Sequence, residues 1–595
     1  MKRIEKIIEE SSEKIKKAKK TYNIVSFFRI VFFMLFIVET LRGFSKLINY
    51  EIFFGLTSFI VLISLLLKSN ILTKKIEFFE NIKKTCQEIN EQGLNDTIDL
   101  YYNADISHPY CSDLDIFGKN SLFRNINRCQ TIFGIECLKN YLQNPLLSTK
   151  TIYRRQNAIK ELSTKIEWCV DFLASTRTTD SKTLNKKNVS YLFSGFNNKK
   201  LDTKAIKILL IVTPLFNIVF CFLVFIFNIN LFILLFPVII SGTIIKIYSN
   251  SVKEIYTSVN FKSGELKKYI LILSLIEQES FSSSELSFIK RKIILPNEVK
   301  SSDFIKTLSK FIDLFENRNI MIFGTLINVI FLWDLRYAYK IEKCLNENIC
   351  QIPNWFDAIG EFEALICFGL FAYQNKEFTY PLPADESSVI DIKKFSHPFL
   401  DKEKRVNNNF FINKDNRVSI ITGANMTGKS TFLRSIGINM VLAMNGCPVC
   451  AESFSFYPIS IFTSMKTSDS LSDGSSYFNA EIQRLKLLVE KLENKEPQFI
   501  ILDEILKGTN SVDKLKGSEL FLEKIIKIKT FNTCLIATHD LDLTKMENVY
   551  PNNIINYCFE LHNNKGLLEP DYKLQRGVTK SMNAIELMRK NHIID

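Results

Sequence analysis

The sequence has no low-complexity stretch and no tandem repeat, and its 13 cysteines follow no regular spacing. The lack of a cysteine framework excludes a small disulfide-stapled secreted domain, so we expect the thiols to be reduced and mostly buried. Cys447 and Cys450 form a lone C-x-x-C pair, which supplies too few ligands for a closed zinc site; packing is their expected role. No small-residue cleavage site follows the first apolar run, which disfavours a cleaved signal peptide.

Long apolar runs are present instead. The 595 residues suggest about four domains, and 46% hydrophobic residues with a mean hydropathy of +0.05 are high for a cytosolic enzyme. Four apolar runs fall into two pairs, each joined by a short turn: 24–41 with 52–67, and 208–227 with 229–245. A spanning helix needs about 20 residues, so 208–227 fits well and 52–67 is marginal. We expect two transmembrane hairpins; buried core helices of a soluble protein are the alternative.

Charged residues near the first hairpin predict its orientation. Basic residues precede the first run at positions 2, 3, 6, 14, 16, 17, 19 and 20. The positive-inside tendency places the N-terminus in the cytoplasm, and two hairpins return the chain to that side. We therefore expect a multi-pass protein of the cytoplasmic membrane whose C-terminal region faces the cytosol. Arg29 and Glu39 lie near the ends of the first run, where we expect their long side chains to reach the interface.

The net charge of +13 has two interpretations. Basic residues capture nucleic-acid phosphates by releasing counterions, which would favour DNA as a partner. Many of the lysines flank the apolar runs, however, where anionic lipid headgroups would attract them equally well. Charge alone therefore does not separate a nucleic-acid surface from a membrane surface.

Residues 423–430 read GANMTGKS, a glycine-rich loop of the type that binds phosphate. The apolar residues of 418–421 predict a short buried strand before the loop, and Lys429 opens a helix whose free N–H groups face it. Lys429 would neutralise the β and γ phosphates of a nucleoside triphosphate, and Ser430 would hold Mg²⁺. Because this pattern alone occurs by chance, a glycine turn unrelated to nucleotides is the alternative.

A second motif, FIILDE, ends at Asp503 and Glu504, at the distance from the loop expected of a nucleotide hydrolase. Asp503, at the end of a buried strand, is expected to hold Mg²⁺ through water, and Glu504 to polarise the attacking water. Predicted strands alternate with predicted helices: strands 418–422, 498–502 and 534–538, and helices 429–444, 479–494 and 515–528. This alternation indicates an α/β domain with a doubly wound, mostly parallel sheet, which binds ligands at the carboxyl ends of its strands.

The region before this domain is predicted to be mainly helical. Residues 70–96 show an amphipathic helical pattern, and 251–375 are nearly all helix by period. The apolar run 320–332 is too short to span a membrane, so we expect a buried lever helix there. Residues 381–388 are predicted to be a linker. The predicted segments are 1–70 (basic N-terminus and hairpin 1), 71–200 (first core helices), 201–250 (hairpin 2), 251–385 (core and lever helices) and 386–595 (the α/β domain).

Three further segments narrow the class of hydrolase: DGSSYFNAE at 473–481, LKGTNSVD at 506–513 and CLIATHD at 534–540. In this order and spacing they resemble the MutS family of DNA mismatch-repair ATPases. The loop opens at Gly423, and the family's Asn-Met followed by Gly-Lys-Ser-Thr is matched by Asn425, Met426, Gly428, Lys429, Ser430 and Thr431. Segments that resemble the family's core helices and the lead-in to its ATPase lie at 113–118, 121–134, 154–162 and 396–400. The resemblance thus covers most residues from about 100 onward.

The resemblance implies roles for four more residues. His539 would touch the γ-phosphate and act as a switch between nucleotide state and the neighbouring domains; a satisfied core histidine is the alternative. Ser476 would complete the ATP site of the opposite subunit, which implies a two-fold homodimer. Thr509 and Asp513 would lie where the two ATPase domains meet. The alternative is that these small polar residues only cap the helix expected to begin at Asn479.

The sequence also departs from the family's pattern. Mismatch-repair members carry an N-terminal domain with a Phe-x-Glu wedge that stacks on the defective base pair, and we find no such segment in the first hundred residues. The second hairpin falls where those proteins insert the DNA clamp. Ala424 and Thr427 replace the usual Pro and Gly, and Lys507 replaces the common Arg; we expect these changes to be tolerated. Residues 572–593 resemble only the opening strand and helix of the family's C-terminal helix-turn-helix.

Two functional hypotheses follow. The first is a membrane-anchored MutS-like ATPase, with ATP and Mg²⁺ as cofactors, whose homodimer binds or senses mismatched or otherwise non-standard DNA. The second is an ATPase whose lever helices transmit nucleotide state to the hairpins or to a protein partner, without DNA. An ABC transporter is a weaker third hypothesis, because residues 473–481 lack the Leu-Ser-Gly-Gly signature and four spans are few.

Overall fold

The computed structural model consists of two compact units. The residues that it describes are 2–46, 49–90, 108–177, 201–227, 230–258, 263–294, 300–316, 323–348, 351–384, 388–465, 477–507, 509–564 and 567–580. The first unit comprises Met1–Asn90, Arg128–Cys137 and Lys165–Ala364. The second comprises Glu91–Asn127, Leu138–Thr164 and Leu365–Asp595.

Helices dominate the described chain before residue 375, which confirms the predicted helical character of this region. In chain order they are α1 (Lys2–Lys46), α2 (Asn49–Asn90), α3 (Leu122–Ile126), α4 (Ile132–Gln143), α5 (Thr149–Thr164), α6 (Ile166–Thr176), α7 (Lys204–Ile226), α8 (Leu235–Ser258), α9 (Ser263–Gln278), α10 (Ser284–Arg291), α11 (Ser301–Glu316), α12 (Phe323–Phe331), α13 (Trp333–Asn348) and α14 (Ile352–Gln374).

Helices α1 and α2 are far longer than the apolar runs that they contain. They have 45 and 42 residues, which at 1.5 Å per residue makes them about 68 and 63 Å long. Ile4, Ser11, Ala18 and Val25 are buried at every seventh position of α1, the spacing of a coiled-coil seam. The two helices therefore form one antiparallel pair, and the marginal run 52–67 is part of a long helix.

Two charged side chains of α1 are bonded to α2. Arg29 Nη1 donates to Ser69 Oγ at 3.4 Å, and Glu39 Oε2 accepts from Ser58 Oγ at 2.8 Å. Polar groups in apolar helices pair with one another where they can, because an unpaired charge is costly there. Both side chains therefore have a hydrogen-bond partner on the neighbouring helix. That they also reach a membrane interface stays a prediction.

Helices α7 and α8 form the second pair, and polar contacts connect it to α12. The amide Nδ2 of Asn217, in α7, donates to Ser241 Oγ of α8 at 3.0 Å. It also donates to the carbonyl oxygens of Val329 and Ile330 in the last turn of α12, at 3.2 and 3.0 Å. Four segments of the described chain are long and apolar enough, by length and composition, to cross a membrane: Lys2–Arg42, Phe53–Asn90, Lys204–Val224 and Phe232–Thr257.

Helix α12 differs from the buried lever helix expected at 320–332. It begins at Phe323 and ends at Phe331, and Leu326 is 56% exposed. Leu332 has φ +48° and separates α12 from α13, so the apolar run ends in a sharp break. Residues 320–322 lie outside the described residues.

The second unit contains the predicted α/β domain. Its strands are β1 (Leu382–Pro383), β2 (Ser388–Phe395), β3 (Asn408–Asn413), β4 (Val418–Gly423), β5 (Ser453–Phe456), β6 (Ser460–Ser464), β7 (Gln498–Asp503), β8 (Asn532–Ala537), β9 (Ile554–Asn564) and β10 (Leu567–Arg576). Its helices are α15 (Lys429–Met444), α16 (Tyr477–Glu493), α17 (Ser511–Lys527) and α18 (Met546–Val549).

The main sheet has six strands in the order β10-β9-β4-β8-β7-β6. Neighbours from β9 to β6 run parallel, and only β10 runs antiparallel, at one edge. Ile500 and Leu502 face a buried cluster with α16 and α17. Side chains alternate across a strand, so Ile501 faces the other side, where α15 approaches it at Gly437. The doubly wound, mostly parallel arrangement is therefore confirmed.

A second, smaller sheet was not predicted from the sequence. It has the order β1-β5-β2-β3. Leu382 and Pro383, expected in a linker, pair instead with Ser455 and Phe456 of β5. Proline can occupy such a position because an edge strand needs no N–H donor on its open side.

Candidate functional site

The glycine-rich loop joins β4 to α15 in a tight turn. Gly423 has φ +154° and Gly428 has φ +100°, conformations that favour glycine. A Cβ atom on Gly423 would lie 2.9 Å from the carbonyl oxygen of Phe559 and from the hydroxyl of Thr427. A Cβ atom on Gly428 would lie 3.0 Å from the ring of Tyr572. Only a backbone without side chains fits at these two points of the loop.

Lys429 is the first residue of α15, and only 6% of it is exposed. Its Nζ donates to the carbonyl oxygens of Gly423 at 2.7 Å and Ala424 at 3.1 Å. Burial lowers the pKa of Lys429, and the nearby carboxylates of Glu504 and Asp503 act in the opposite direction. The ammonium group is thus held inside the loop, close to two acids.

The loop and the first turn of α15 present a concentration of donors to solvent. Asn425, Met426, Ser430 and Thr431 are all exposed. The first N–H groups of a helix have no intrahelical partner and carry the positive end of its dipole. Together with the ammonium of Lys429, this arrangement fits a chain of phosphate groups, and the Ser430 hydroxyl is a ligand type that Mg²⁺ accepts.

Asp503 and Glu504 lie where β7 ends. Glu504 has φ +53°, and its N–H donates to the carbonyl oxygen of Ala537 in β8 at 2.9 Å. Its carboxylate is 2.8 Å from Nε2 of His539 and 3.7 Å from Nζ of Lys507. The hydrogen bond from His539, assisted by Lys507, lowers the pKa of Glu504 to about 2 against the opposing effect of burial. Glu504 is therefore ionised at neutral pH.

His539 follows β8, and its Nε2 is also 3.3 Å from Nζ of Lys429. The structure therefore brings together three of the predicted residues, one from the end of each of three adjacent strands. Because an ammonium can only donate, an Nε2–H that donates to Glu504 does not also bond Lys429. The His539 side chain is 35% exposed, which does not fit the alternative of a histidine buried in the core.

A cavity of about 450 Å³ opens beside Gly428 and was missed from the sequence. Its lining includes Phe395, His397, Val406, Phe559 and Tyr572. Burial, with Arg434 and Arg405 nearby, lowers the pKa of His397 to about 4, so this imidazole is neutral. Aromatic and apolar walls next to a phosphate-type loop suit a flat heterocyclic base. The sequence signal for this cavity is the segment SHPFL at 396–400, which the resemblance had identified only as the lead-in to the ATPase domain.

Of the three residues expected at a subunit interface, the structure describes Thr509 and Asp513. Ser476 lies outside the described residues, so its predicted role is untested. Asp513 is exposed, and its N–H donates to Oδ1 of Asn510 at 2.8 Å, which caps α17. Thr509 directly precedes this cap. Helix α16 begins at Tyr477, two residues before the predicted start at Asn479.

The C-x-x-C pair has the packing role predicted for it. Cys447 and Cys450 are both buried and free. Cys450 Sγ lies 3.1 Å from Ser396 Oγ. Among the described residues, no group of three or more His, Cys, Asp or Glu side chains is arranged to hold a metal ion.

Comparison with known families places these motifs in context. The model of MutS domain III matches residues 111–317, and that of MutS domain V matches residues 419–593. The second match contains the loop together with Glu504 and His539.

Individual relatives agree with both matches. MutS protein homolog 4 of Homo sapiens is 30% identical over 344 residues, which cover 53% of this chain and 34% of that protein. The Mus musculus protein of the same name is 33% identical over 258 residues, 41% of this chain and 26% of its own length. DNA mismatch repair protein MutS of Petrotoga mobilis is 26% identical over 354 residues, 58% of this chain and 39% of its own. The chain thus spans about a quarter to two-fifths of the length of these relatives. The two domain matches and these relatives show that the chain belongs to the MutS family.

Proposed function

We propose that this chain is a Mg²⁺-dependent ATPase in which Lys429, Glu504 and His539 act at the γ-phosphoryl group. The observation that carries the proposal is their convergence: His539 Nε2 lies 2.8 Å from Glu504 and 3.3 Å from Lys429. All three follow the carboxyl ends of adjacent parallel strands, where open α/β sheets bind ligands. The match to MutS domain V supports the same assignment.

Each residue has a role that follows from its position. Lys429 Nζ gives up its hydrogen bonds to the carbonyl oxygens of the loop and donates instead to oxygens of the β and γ phosphates. Ser430 and Asp503 would hold Mg²⁺, directly and through water, and the ion supplies positive charge between the phosphates when bound. Ionised Glu504 orients and polarises the attacking water, and His539 fixes the direction of the Glu504 carboxylate.

Nucleotide binding tests this proposal directly. Fluorescent ATP analogues should bind the purified protein in Mg²⁺, and Lys429→Ala should weaken that binding at least 10-fold by removing a charge from the phosphates. Lys486→Ala is the matched control, because Lys486 is an exposed lysine of α16 in an i,i+4 pair with Glu490. Equal binding by wild type and Lys429→Ala contradicts the role of the loop.

We propose further that Ser476 completes the site of a second subunit in a homodimer. This proposal comes from the similarity to the family signature at 473–481, and it can be tested with two variants that are inactive for different reasons. A Lys429→Ala homodimer lacks its own loop charge, and a Ser476→Ala homodimer lacks the residue given to its partner. Heterodimers of the two, isolated with separate tags, regain one intact site if Ser476 acts across the interface. No recovery contradicts a role in the opposite subunit.

For the partner, we propose mismatched or otherwise non-standard DNA. The support is the similarity to DNA mismatch repair protein MutS of Petrotoga mobilis and the match to MutS domain III. Filter binding at low salt should show affinity for mismatched or branched duplexes above that for a perfect duplex, since low salt favours every phosphate contact. No affinity for any DNA form under these conditions excludes this partner.

We also propose that both helix pairs span the cytoplasmic membrane, with the α/β domain in the cytosol. The four candidate segments expose large apolar side chains, among them Ile30 at 62%, Phe53 at 64% and Phe222 at 65%. Lipid acyl chains would cover such apolar surfaces, and this supports the proposal. After alkaline carbonate extraction the protein should remain with the membrane pellet. Complete release into the supernatant contradicts membrane spanning.

The second candidate function is an ATPase that acts on its membrane hairpins or a protein partner without DNA. The observation that favours it is that polar bonds connect hairpin 2 to the helices that follow it. Asn217 of α7 bonds to α12. Arg336 of α13 donates to the carbonyl oxygen of Leu210 in α7 at 2.6 Å. Reconstituted protein should then show ATP turnover that depends on lipid and not on DNA. Stimulation by DNA alone favours the first function.

A further inference from the structure

The turn that follows Glu504 has an uncommon backbone conformation. Glu504 has φ +53° and Leu506 has φ +58°, in the left-handed region that residues with a side chain adopt only when their surroundings hold them there. Both lie between the end of β7 and the start of α17. The direction of the Glu504 carboxylate depends on this backbone, so whatever holds the turn also aims the carboxylate.

A buried carboxylate on a neighbouring helix holds the turn. Glu481 is in the second turn of α16 and is 4% exposed. Its Oε1 accepts the N–H of Leu506 at 2.6 Å, and its Oε2 accepts the N–H of Lys507 at 3.1 Å. Both oxygens are thus bonded to successive peptide groups. Burial raises the pKa of Glu481, and the two backbone bonds and the charge of Lys507 oppose that shift.

Two other contacts fix the same turn from different sides. The N–H of Glu504 donates to Ala537 of β8 at 2.9 Å. The Leu506 side chain approaches α17 where Gly517 leaves room, since a Cβ atom there would lie 2.6 Å from Leu506 Cδ1. Of the three contacts, that of Glu481 is the one made by an ionisable side chain. It is therefore the one that a substitution of equal size can weaken.

We propose that Glu481 is a positioning residue for ATP hydrolysis, which aims Glu504 by fixing the peptide groups of Leu506 and Lys507. Glu481 acts through the backbone, because both of its carboxylate oxygens are engaged by peptide N–H groups. Without its two hydrogen bonds the turn relaxes toward ordinary φ values, and the Glu504 carboxylate turns away from His539. This inference rests on the proposed ATPase function and extends it to a residue outside the reacting groups.

Glu481→Gln tests the inference with little change in volume. Glutamine keeps one acceptor oxygen but presents an NH₂ group to the second peptide N–H. We expect kcat to fall about 10- to 100-fold, because a small displacement of a catalytic group costs that much. The KM and the Kd for nucleotide should stay within about two-fold, since the phosphate loop is untouched. Glu490→Gln, an exposed glutamate of the same helix paired with Lys486, should leave kcat unchanged.

A double-mutant cycle separates positioning from a general loss of structure. If Glu481 acts only through Glu504, adding Glu481→Gln to Glu504→Gln should not lower the residual turnover further. A purely structural role predicts a further loss of the same factor, with a matching fall in nucleotide binding, and that result overturns the proposal. Unchanged kcat in Glu481→Gln also overturns it. Wild-type protein without any ATP turnover instead refutes the proposed function, and this inference with it.

Discussion

His539 donates a hydrogen bond from Nε2 to Oε1 of Glu504 across 2.8 Å. The bond connects the segment that follows β8 to the segment that follows β7. The same bond is the largest cause of the low pKa of Glu504. A base that is already ionised and already aimed needs no rearrangement when water arrives. The pair therefore gives Glu504 the two properties that its proposed role in hydrolysis requires, a negative charge and a fixed direction.

Replacing Glu504 should separate binding from chemistry. Glu504→Gln keeps the size of the side chain and removes the negative charge, so it should retain ATP affinity and lose turnover by at least about 100-fold. Steady-state turnover and fluorescent-nucleotide binding measure the two properties on the same sample. Turnover equal to that of wild type removes Glu504 from its assigned role.

Loss of His539 should shift the acid limb of the pH dependence. In the native site the pKa of Glu504 is about 2, below its ordinary value of 4.5. The depressed pKa stabilises the folded protein above about pH 4.5, and that contribution is lost as the pH falls through 2. In His539→Ala the pKa should rise toward 4.5, so the residual turnover should begin to fall at a higher pH than in wild type.

The pH–rate profile between pH 4 and 8 checks this prediction. His562→Ala is the control, because His562 is an exposed histidine bonded to Asp571 at 2.9 Å, outside the site. Identical acid limbs in wild type and His539→Ala would show that His539 does not set the ionisation of Glu504.

The cavity beside Gly428 predicts a change in KM alone. Tyr572 lines it at the loop, 3.0 Å from where a Cβ of Gly428 would lie. The base of ATP takes no part in the bond changes at the phosphate, so its contacts are equal in ground and transition states. Tyr572→Ala should raise the KM for ATP about 10-fold and leave kcat within two-fold. Tyr153→Ala, at a tyrosine outside this cavity, should change neither; a fall in kcat for Tyr572→Ala contradicts the assignment.

The core of the α/β domain could be predicted closely from the sequence. The predicted strands 418–422 and 498–502 are found at Val418–Gly423 and Gln498–Asp503. Parallel strands are buried on both faces, so they appear as continuous apolar runs between turn residues. Glycines and the lysine of the loop mark where the first strand ends, which explains why the turn between this strand and the next helix was located correctly.

Other features lie beyond sequence patterns for physical reasons. The small sheet mixes polar and apolar residues because its strands are only partly buried, and β1 contains a proline. The left-handed backbone at Glu504 and Leu506 is imposed by contacts with distant segments, not by residue type. Glu481 is 25 positions from Leu506 along the chain, and no local periodicity links them. Lys68 and Ser69 separate the run 52–67 from the amphipathic helix predicted from residue 70 onward, so the continuity of the two in α2 was missed. The helix over the polar residues before the first apolar run, the first part of α1, was also missed.

The connection of hairpin 2 to α12 predicts a loss of stability. Asn217→Leu removes the donor to Ser241 and to the last carbonyl groups of α12. Polar bonds between helices in apolar surroundings contribute about 1 kcal/mol each, so the free energy of unfolding should fall by about 1–2 kcal/mol. Thermal unfolding in detergent should show a lower Tm. Cys221→Leu, on the exposed side of the same helix, is the control; equal Tm values for wild type and Asn217→Leu contradict this connection.

The central claim is that two copies of this chain form ATPase sites in which each copy completes the other. The most direct test measures the molar mass in solution and the ATP turnover of the same purified sample. The account predicts a dimer that hydrolyses ATP in Mg²⁺ and becomes inactive as dilution separates the subunits. A strictly monomeric protein with full activity, or a protein with no affinity for adenine nucleotides, would contradict it.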